Sequence, residues 1–580
     1  MPIEQVFEAI KNIEPIDELK QISTRRYLVS SFEETLLPLI KRHDIIVVAG
    51  EYFGDEGKGK ITDAIANCDD VELILRTLSG ENAGHTVVVG GKKFVFNLTP
   101  SGITVPGKVN GIGPECVMDP INYMQKEISQ LIKAEIDYER RLFVGNVHIV
   151  GPHHKILDFA LSPPNSSTLM GMSYVHASKV AKRGIRLDHL FNDTAEAEKR
   201  LKKDIDVYHA LMQYNKKDEI EVLHDLREEM ARRKKEVPKH IVEFLTAKDK
   251  IDCILNMYDR DVIRVPAFPQ RRDVCHLARE YLRDGKKILL ESPQSFFLSN
   301  ATEKHWASST SAQTHAAGVI ASANINTSKY KHIVINVAKT PCDSRVGVGA
   351  NPSSFVPQNY FSSQKPPVNT LDQLEGKCMD FDAIQKMYFQ SIQPNGILNP
   401  VKYTDASGTY LINEAMSIAA SRKFGEKGAT TGKPRVVGLF DCLTAKLVND
   451  VQGPYLSISA MDRGDEMDFV GMTIGYVFHH PKDDMLDSNG TPYMNGQIIK
   501  IGEEYPCDQV LEHCYPIIKV MPGWKNTPIG VEKIKPTDPL PKNVQAFIGT
   551  IEDLTGLKIL SIGNGQDTKN LIYIKRADER

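Results

Sequence analysis

Between Gly54 and Lys60, the seven residues GDEGKGK hold three glycines, two lysines and two carboxylates. They follow the apolar run DIIVVAG and precede ITDAIANC, the order of a buried strand, a tight turn and a helix. Such a turn aims backbone N–H groups and a helix N-terminus at an anion, and phosphate is the natural ligand. The spacing satisfies the glycines and lysine of G-x-x-x-x-G-K-[ST], but Ile61 stands where the metal-binding hydroxyl belongs, so this is not an ordinary phosphate loop. Carboxylates beside a phosphate repel it unless one binds a metal or moves a proton, which makes Asp55 and Glu56 candidates for chemistry. The plainer alternative is a helix cap, with Asp55 satisfying amides. A second cluster, GENAGHT, follows the apolar run VELILRT and offers the amide of Asn82 and the imidazole of His85. A lone histidine is more often structural; two such loops after two early strands argue for one shared site at the carboxyl edge of a sheet.

The elements that must position these loops are also readable. Short apolar runs recur in DIIVVAG, VELILRT, KKILLES, HIVINVAKT, PRVVGLFD, YLSISAMD and LKILSIGNG, and several end in Gly, Ser or Asp. Continuous apolarity suits parallel strands buried on both faces. The expected class is α/β: a large, mostly parallel central sheet with a P-loop-like nucleotide site, flanking helices and inserted helical subdomains. Residues 1–43 read as an N-terminal helical extension, because Val6, Ile10, Ile13, Ile16 and Leu19 recur at about helical spacing. The main domain would fill 44–580, with a charged helical insert at about 193–260 and a loop-rich insert at about 350–407.

With 580 residues the chain exceeds the roughly 250–300 at which one core stops growing. Its 41% apolar and 25% charged residues describe a globular protein. A net charge of −3 offers no footprint for nucleic acid or a membrane surface. Nine cysteines without a Cys-x-x-Cys pair argue against a secreted disulfide framework. The first residues lack a secretory signal, and no apolar run approaches the ~18 residues of a membrane span. A cytoplasmic location is expected.

Taken together, the motifs resemble those of the adenylosuccinate synthetase family, whose hallmark is close to Q-W-G-D-E-G-K-G-K. The resemblance runs from about Ile45 to the C-terminus through NAGHTVVV, LTPSGI, KVAKRGIR, SRVGVG, GATTGKPR, MPGW and LSIGNG, in family order. It implies a ligase that makes adenylosuccinate from IMP, L-aspartate and GTP with Mg²⁺, through a 6-phosphoryl-IMP intermediate. A 6-oxo purine is a poor electrophile; phosphorylating its oxygen creates a leaving group for the aspartate amine, and a base at N1 is needed to make that oxygen attack. By resemblance, Asp55 is the base and a metal ligand, the carbonyl of Gly84 is a second metal ligand, and His85 donates to the transferring phosphoryl. Lys58 cradles phosphate and Gln294 holds the 6-oxygen. The GTP contacts implied are Gly54, Glu56, Gly57, Lys58, Gly59, Lys60, Gly84, Thr86, Asp462, Ser561 and Gly563. Those for IMP are Asp55, Asn82, Ala83, His85, Thr168, Lys182, Gln294, Thr310 and Lys433. Those for aspartate are Ala429, Thr430, Thr431, Gly432 and Arg435, the arginine suiting a carboxylate through its planar fork.

Several positions depart from the family pattern. Tyr52-Phe53 replaces Gln-Trp, Lys433 replaces an Arg, Ala460 replaces a guanine-stacking Lys, and SSTLMGMSY replaces GTTGRGIGP around Thr168. Lys182 replaces an Arg that, in the family, crosses a homodimer interface to the IMP phosphate, keeping charge and losing the fork. Binding positions are altered, whereas Asp55, Lys58, His85 and Gln294 are intact. Two other readings stay open: a related ligase using another purine monophosphate such as dGMP, and a non-catalytic nucleotide-binding relative.

Overall fold

The computed structural model describes residues 3–162, 169–233, 235–377, 380–428, 432–481, 484–487, 489–531, 533–534 and 538–578. Its centre is a 12-stranded sheet. Across it the strands run Tyr27–Ser30, Leu571–Arg576, Lys558–Gly563, Tyr455–Ser459, His332–Lys339, Ile45–Gly50, Lys287–Ser295, Val71–Ser79, Val109–Met118, Leu142–Val144 and Gln270–Arg271, and His148–Ile149, the twelfth, pairs with Val109–Met118 off this path. Leu571–Arg576 is antiparallel to both neighbours; the other pairs along this path are parallel. The α/β expectation therefore holds. Ile45–Gly50 is buried throughout, as its β-branched run requires of a central strand.

Register aligns the carboxyl ends that carry the loops. Ile45 pairs with Ile288 on one side and with His332 on the other. Further along, Glu291 pairs with Val48 but Ser295 with Gly50, so four steps on one strand oppose two on its neighbour. This bulge re-aims the side chains between Glu291 and Ser295.

Three segments differ from the sequence reading. Within the stretch read as helical, Tyr27–Ser30 is an edge strand, because YLVS finds its partner in Leu571–Arg576 at the far end of the chain. PRVVGLFD does not join the main sheet. Val437–Gly438 pairs with Asp343–Ser344, and Phe440–Asp441 joins Phe469–Phe478 in a second, four-stranded sheet. Val109–Met118, not singled out by apolarity, is a long buried strand whose glycines permit close packing. A Cβ on Gly113 would lie 2.7 Å from the Thr77 Cα, and one on Gly111 2.7 Å from the Leu75 Cδ2.

The charged insert is helical, comprising Thr194–Tyr214, Glu219–Arg232, Lys239–Thr246 and Lys250–Tyr258. Its buried Asp204 fastens it to the main body. One oxygen accepts from Ser178 Oγ at 2.6 Å and Arg183 Nε at 2.8 Å; the other faces His153 Nε2 at 3.1 Å and His154 Nε2 at 3.0 Å. Gly151 N donates to His154 Nδ1 at 3.0 Å, which puts that ring's proton on Nε2 and makes it a donor to Asp204 rather than a metal ligand. Asp204→Ala is therefore expected to open the insert, lowering its local stability by about 3 kcal/mol. Amide exchange across 194–258 measures this, and protection unchanged from wild type contradicts it.

Candidate active site

The turn after the central strand is held from inside by Glu56, which is fully buried. Its Oε1 accepts from Gly54 N at 2.7 Å and Tyr52 N at 3.2 Å, and its Oε2 from Lys58 Nζ at 2.8 Å and Ser295 Oγ at 2.6 Å. Burial pushes this carboxyl up, but Lys58 and the other donors outweigh it and hold the group below its ordinary value. From the end of Tyr455–Ser459, two strands away in the sheet, Ser459 Oγ donates to the Glu56 carbonyl at 2.6 Å. Gly54 and Gly57 take φ of 98° and 88°, and a Cβ on Gly54 would lie 2.7 Å from the Val346 Cγ2, so both positions need glycine. The helix Lys58–Ala66 starts here, directing its first amides at the turn. Tyr52 and Phe53 face the core: Phe53 stacks on Phe297 at 5.1 Å, with the Arg345 guanidinium 3.8 Å from its ring centre. The substituted aromatic pair supports the turn from behind.

Asp55 emerges from this frame in the left-handed region, φ 60°. Its Oδ2 lies 3.3 Å from Arg435 Nε, so the structure brings the turn against the segment carrying GATTGKPR. The base of that segment is closed by Gly432 N to Gly428 O at 2.8 Å and Arg435 N to Glu426 O at 2.9 Å. Ala429, Thr430 and Thr431 lie outside the described residues, as does Thr168. Lys433 is half-buried, and burial, then the neighbouring Arg233 of the helical insert, lower its pKa.

Asn82, Gln294 and Thr310, far apart in sequence, converge. Asn82 Nδ2 donates to Thr310 Oγ1 at 3.0 Å, and Ser79 Oγ donates to Gln294 Oε1 at 3.0 Å while lying 3.5 Å from Asn82 Oδ1. The buried Ala83 carbonyl accepts from Asn97 Nδ2, and Gly84 follows on the same loop. His85 is buried between two acceptors, with Nδ1 on Glu291 Oε1 and Nε2 2.9 Å from the Pro293 carbonyl. Burial lowers the imidazole pKa, opposed by Glu291. Glu291 also accepts from Ser101 N at 2.8 Å and Ser101 Oγ at 2.6 Å. Despite burial, His85 and Arg76 hold the Glu291 carboxyl down to about 2. Arg76 is fully buried, and its guanidinium makes no hydrogen bond to the described residues. Sequence reasoning passed over Glu291, although an acid at the end of the apolar run KKILLES was a signal.

On the other flank, Lys60 Nζ donates to the carbonyls of Gly565 at 2.8 Å and Asn570 at 2.6 Å, beside Gly563. Burial lowers its pKa to about 8, with Asp462 and Asp567 pulling the other way. Asp462 lies on the turn Met461–Glu466, and burial raises its carboxyl pKa. Ser561 donates from Oγ to Ser457 Oγ at 2.9 Å, inside the sheet. Thr86 is exposed, and its carbonyl lies 3.0 Å from where a Cβ on Gly59 would stand. Lys182 stands apart. It is exposed and lines a separate basic cavity of about 360 Å³ with Lys179, Arg186 and Arg200.

A solved structure similar in fold is that of the fully ligated adenylosuccinate synthetase from Plasmodium falciparum, with a TM-score of 0.63 at 20% identity, covering 91% of this chain and 99% of that one. The fold shared with that structure is α/β, built on one large, mostly parallel sheet. The family model described as adenylosuccinate synthetase matches residues 47–252 and 250–572, and the chain belongs to that family. Among curated relatives, the adenylosuccinate synthetase of Trypanosoma brucei brucei is 50% identical over 581 residues, covering 99% of this chain and 96% of its own. Adenylosuccinate synthetase 1 of Trypanosoma cruzi is also 50% identical, covering 98% and 94%. The Leishmania infantum enzyme is 48% identical over 582 residues, covering 98% and 82%. Membership assigns the chain to the ligases of purine nucleotide synthesis.

Proposed function

We propose that the protein joins IMP to L-aspartate at the expense of GTP, phosphorylating the purine 6-oxygen and then displacing that phosphate with the aspartate amine. The observation that carries this reading is the meeting of Asp55 and Arg435 at 3.3 Å, a proton-accepting carboxylate beside the arginine of the loop assigned to aspartate. The chain through Ser79 supports it by gathering Asn82, Gln294 and Thr310 where one purine nucleotide could touch all three. In this reading Asp55 takes the N1 proton, Gln294 orients the 6-oxygen, and His85 and Lys58 stabilise charge developing on the transferred phosphoryl. Asp462 would accept from guanine N1 and N2, which favours GTP over ATP.

Apart from its ion pair with Arg435, the buried Asp55 Oδ2 accepts no hydrogen bond from the described residues, which fits an oxygen donor for a hard divalent cation once that arginine is drawn away, with the Gly84 carbonyl as the second protein ligand. Mg²⁺ bound there would supply charge neutralisation between carboxylate and phosphates. Lys182 lines a cavity that neither Asn82 nor Thr310 lines, so in this reading its contact with the same nucleotide would come from a second copy, and we infer a homodimer. Among the described residues no helix is long and apolar enough to cross a membrane.

The test is incubation with aspartate and GTP plus IMP, GMP or dGMP, following product absorbance and phosphate release. Turnover is expected with IMP and to require all three substrates. Turnover of dGMP without turnover of IMP would assign a different purine acceptor.

A further inference from the structure

A buried ionic cluster lies between the turn holding Asp462 and the segment holding Arg435. Glu426 is its centre. Its carboxylate accepts from Lys339 Nζ at 2.9 and 3.0 Å, from Ser344 Oγ at 2.7 Å, and pairs with Arg463 through NH2. Arg463 adjoins Asp462 on the turn Met461–Glu466, donates from NH1 to the Cys342 carbonyl at 2.6 Å, and lies 4.8 Å from the centre of the Phe424 ring. Burial pushes the Glu426 carboxyl up, but Lys339 and Arg463 outweigh it and hold the group ionised. Through its main chain, Glu426 closes the base of the aspartate segment: its N donates to Ser421 O at 2.8 Å and its carbonyl accepts from Arg435 N at 2.9 Å. Arg435 in turn reaches Asp55.

We propose that Glu426 and Arg463 are positioning residues that tie the base-reading turn to the aspartate loop, so that nucleotide at Asp462 and aspartate at Arg435 favour each other. The inference rests on the functional reading above. Asp462 and Arg463 are consecutive on one short turn, so a base drawn onto the Asp462 carboxylate fixes the backbone from which the Arg463 guanidinium extends. That guanidinium holds Glu426, and Glu426 holds the backbone of Arg435. Arg435 lies on Asp55 here; the second arrangement this proposal requires places Arg435 on a substrate carboxylate. A cluster that biases this choice supplies the two-state element that coupling requires.

The experiment measures binding of a non-hydrolysable GTP analogue with and without aspartate, IMP and Mg²⁺ being present throughout, for wild type, Arg463→Met and Arg463→Lys. Coupling is reciprocal, so aspartate should tighten analogue binding by about tenfold in wild type. In Arg463→Met that factor should fall to near one, with each ligand alone binding within about threefold of wild type, and Arg463→Lys should recover part of it. The Met variant should fold, because Glu426 keeps Lys339 and Ser344. A Met variant that retains the wild-type factor, even with a lowered melting temperature, makes the pair merely structural and overturns the proposal. A wild-type factor of one also overturns it, whereas wild-type protein that binds neither ligand overturns the functional reading and this inference with it.

Discussion

Asp55→Asn should lower turnover by about 10²–10⁴-fold while leaving the protein folded and able to bind GTP. The expectation follows from how the residue is held. Its backbone sits at φ 60°, a region that asparagine enters as readily as aspartate, so the substitution adds no strain. The fastening of the turn belongs to Glu56, not Asp55, so the frame that presents Lys58 and the helix amides should survive. What is removed is one negative charge, that of the carboxylate paired with Arg435. Rates measured against IMP, with analogue affinity as the control, separate the two effects. A variant within tenfold of wild type would mean that another group takes the proton.

Under the proposed reading, in which the imidazole acts on charge that appears only in the transition state, His85→Gln should cost about 10²–10³-fold in kcat with little change in the KM for GTP. Both ring nitrogens face acceptors, Glu291 and the Pro293 carbonyl, so the ring is built to carry two protons. Burial opposes the second proton and outweighs Glu291, which keeps the imidazole pKa below its ordinary value. In the proposed reading, a phosphoryl anion beside the ring would tilt that balance toward the cation. Among the described residues, loss of the ring also leaves Glu291 with Ser101 alone as donor, adding a stability penalty of about 1–3 kcal/mol. Equal losses in kcat for His85→Gln and Glu291→Gln, with a shifted pH profile in the latter, would mark the dyad as one unit. A raised KM for GTP with kcat unchanged would instead make His85 a binding residue.

The parts of this site legible in sequence are those whose chemistry is local. The glycines and carboxylates of 54–60 and the amide and imidazole of 82–85 lie within a few residues of one another, and their spacing already implies an anion turn. Glu291 was missed because its role depends on a bulge between Glu291 and Ser295 and on His85, 206 positions away. Val109–Met118 escaped because glycine and proline break its apolar run, although the glycines are what let it pack. Tyr27–Ser30 escaped because a four-residue edge strand is specified by its partner at the other end of the chain. The assignments of Lys182 and Lys433 came from resemblance alone, since nothing in a lone lysine announces a ligand.

The contact between Asp55 and Arg435 has a consequence for metabolism. Under the proposed reading, the carboxylate that would start phosphoryl transfer is engaged by a cation until a dicarboxylic acid competes for it. A cell short of that amino acid would then be spared the futile hydrolysis of its guanosine triphosphate, because the enzyme at rest carries its own counter-ion.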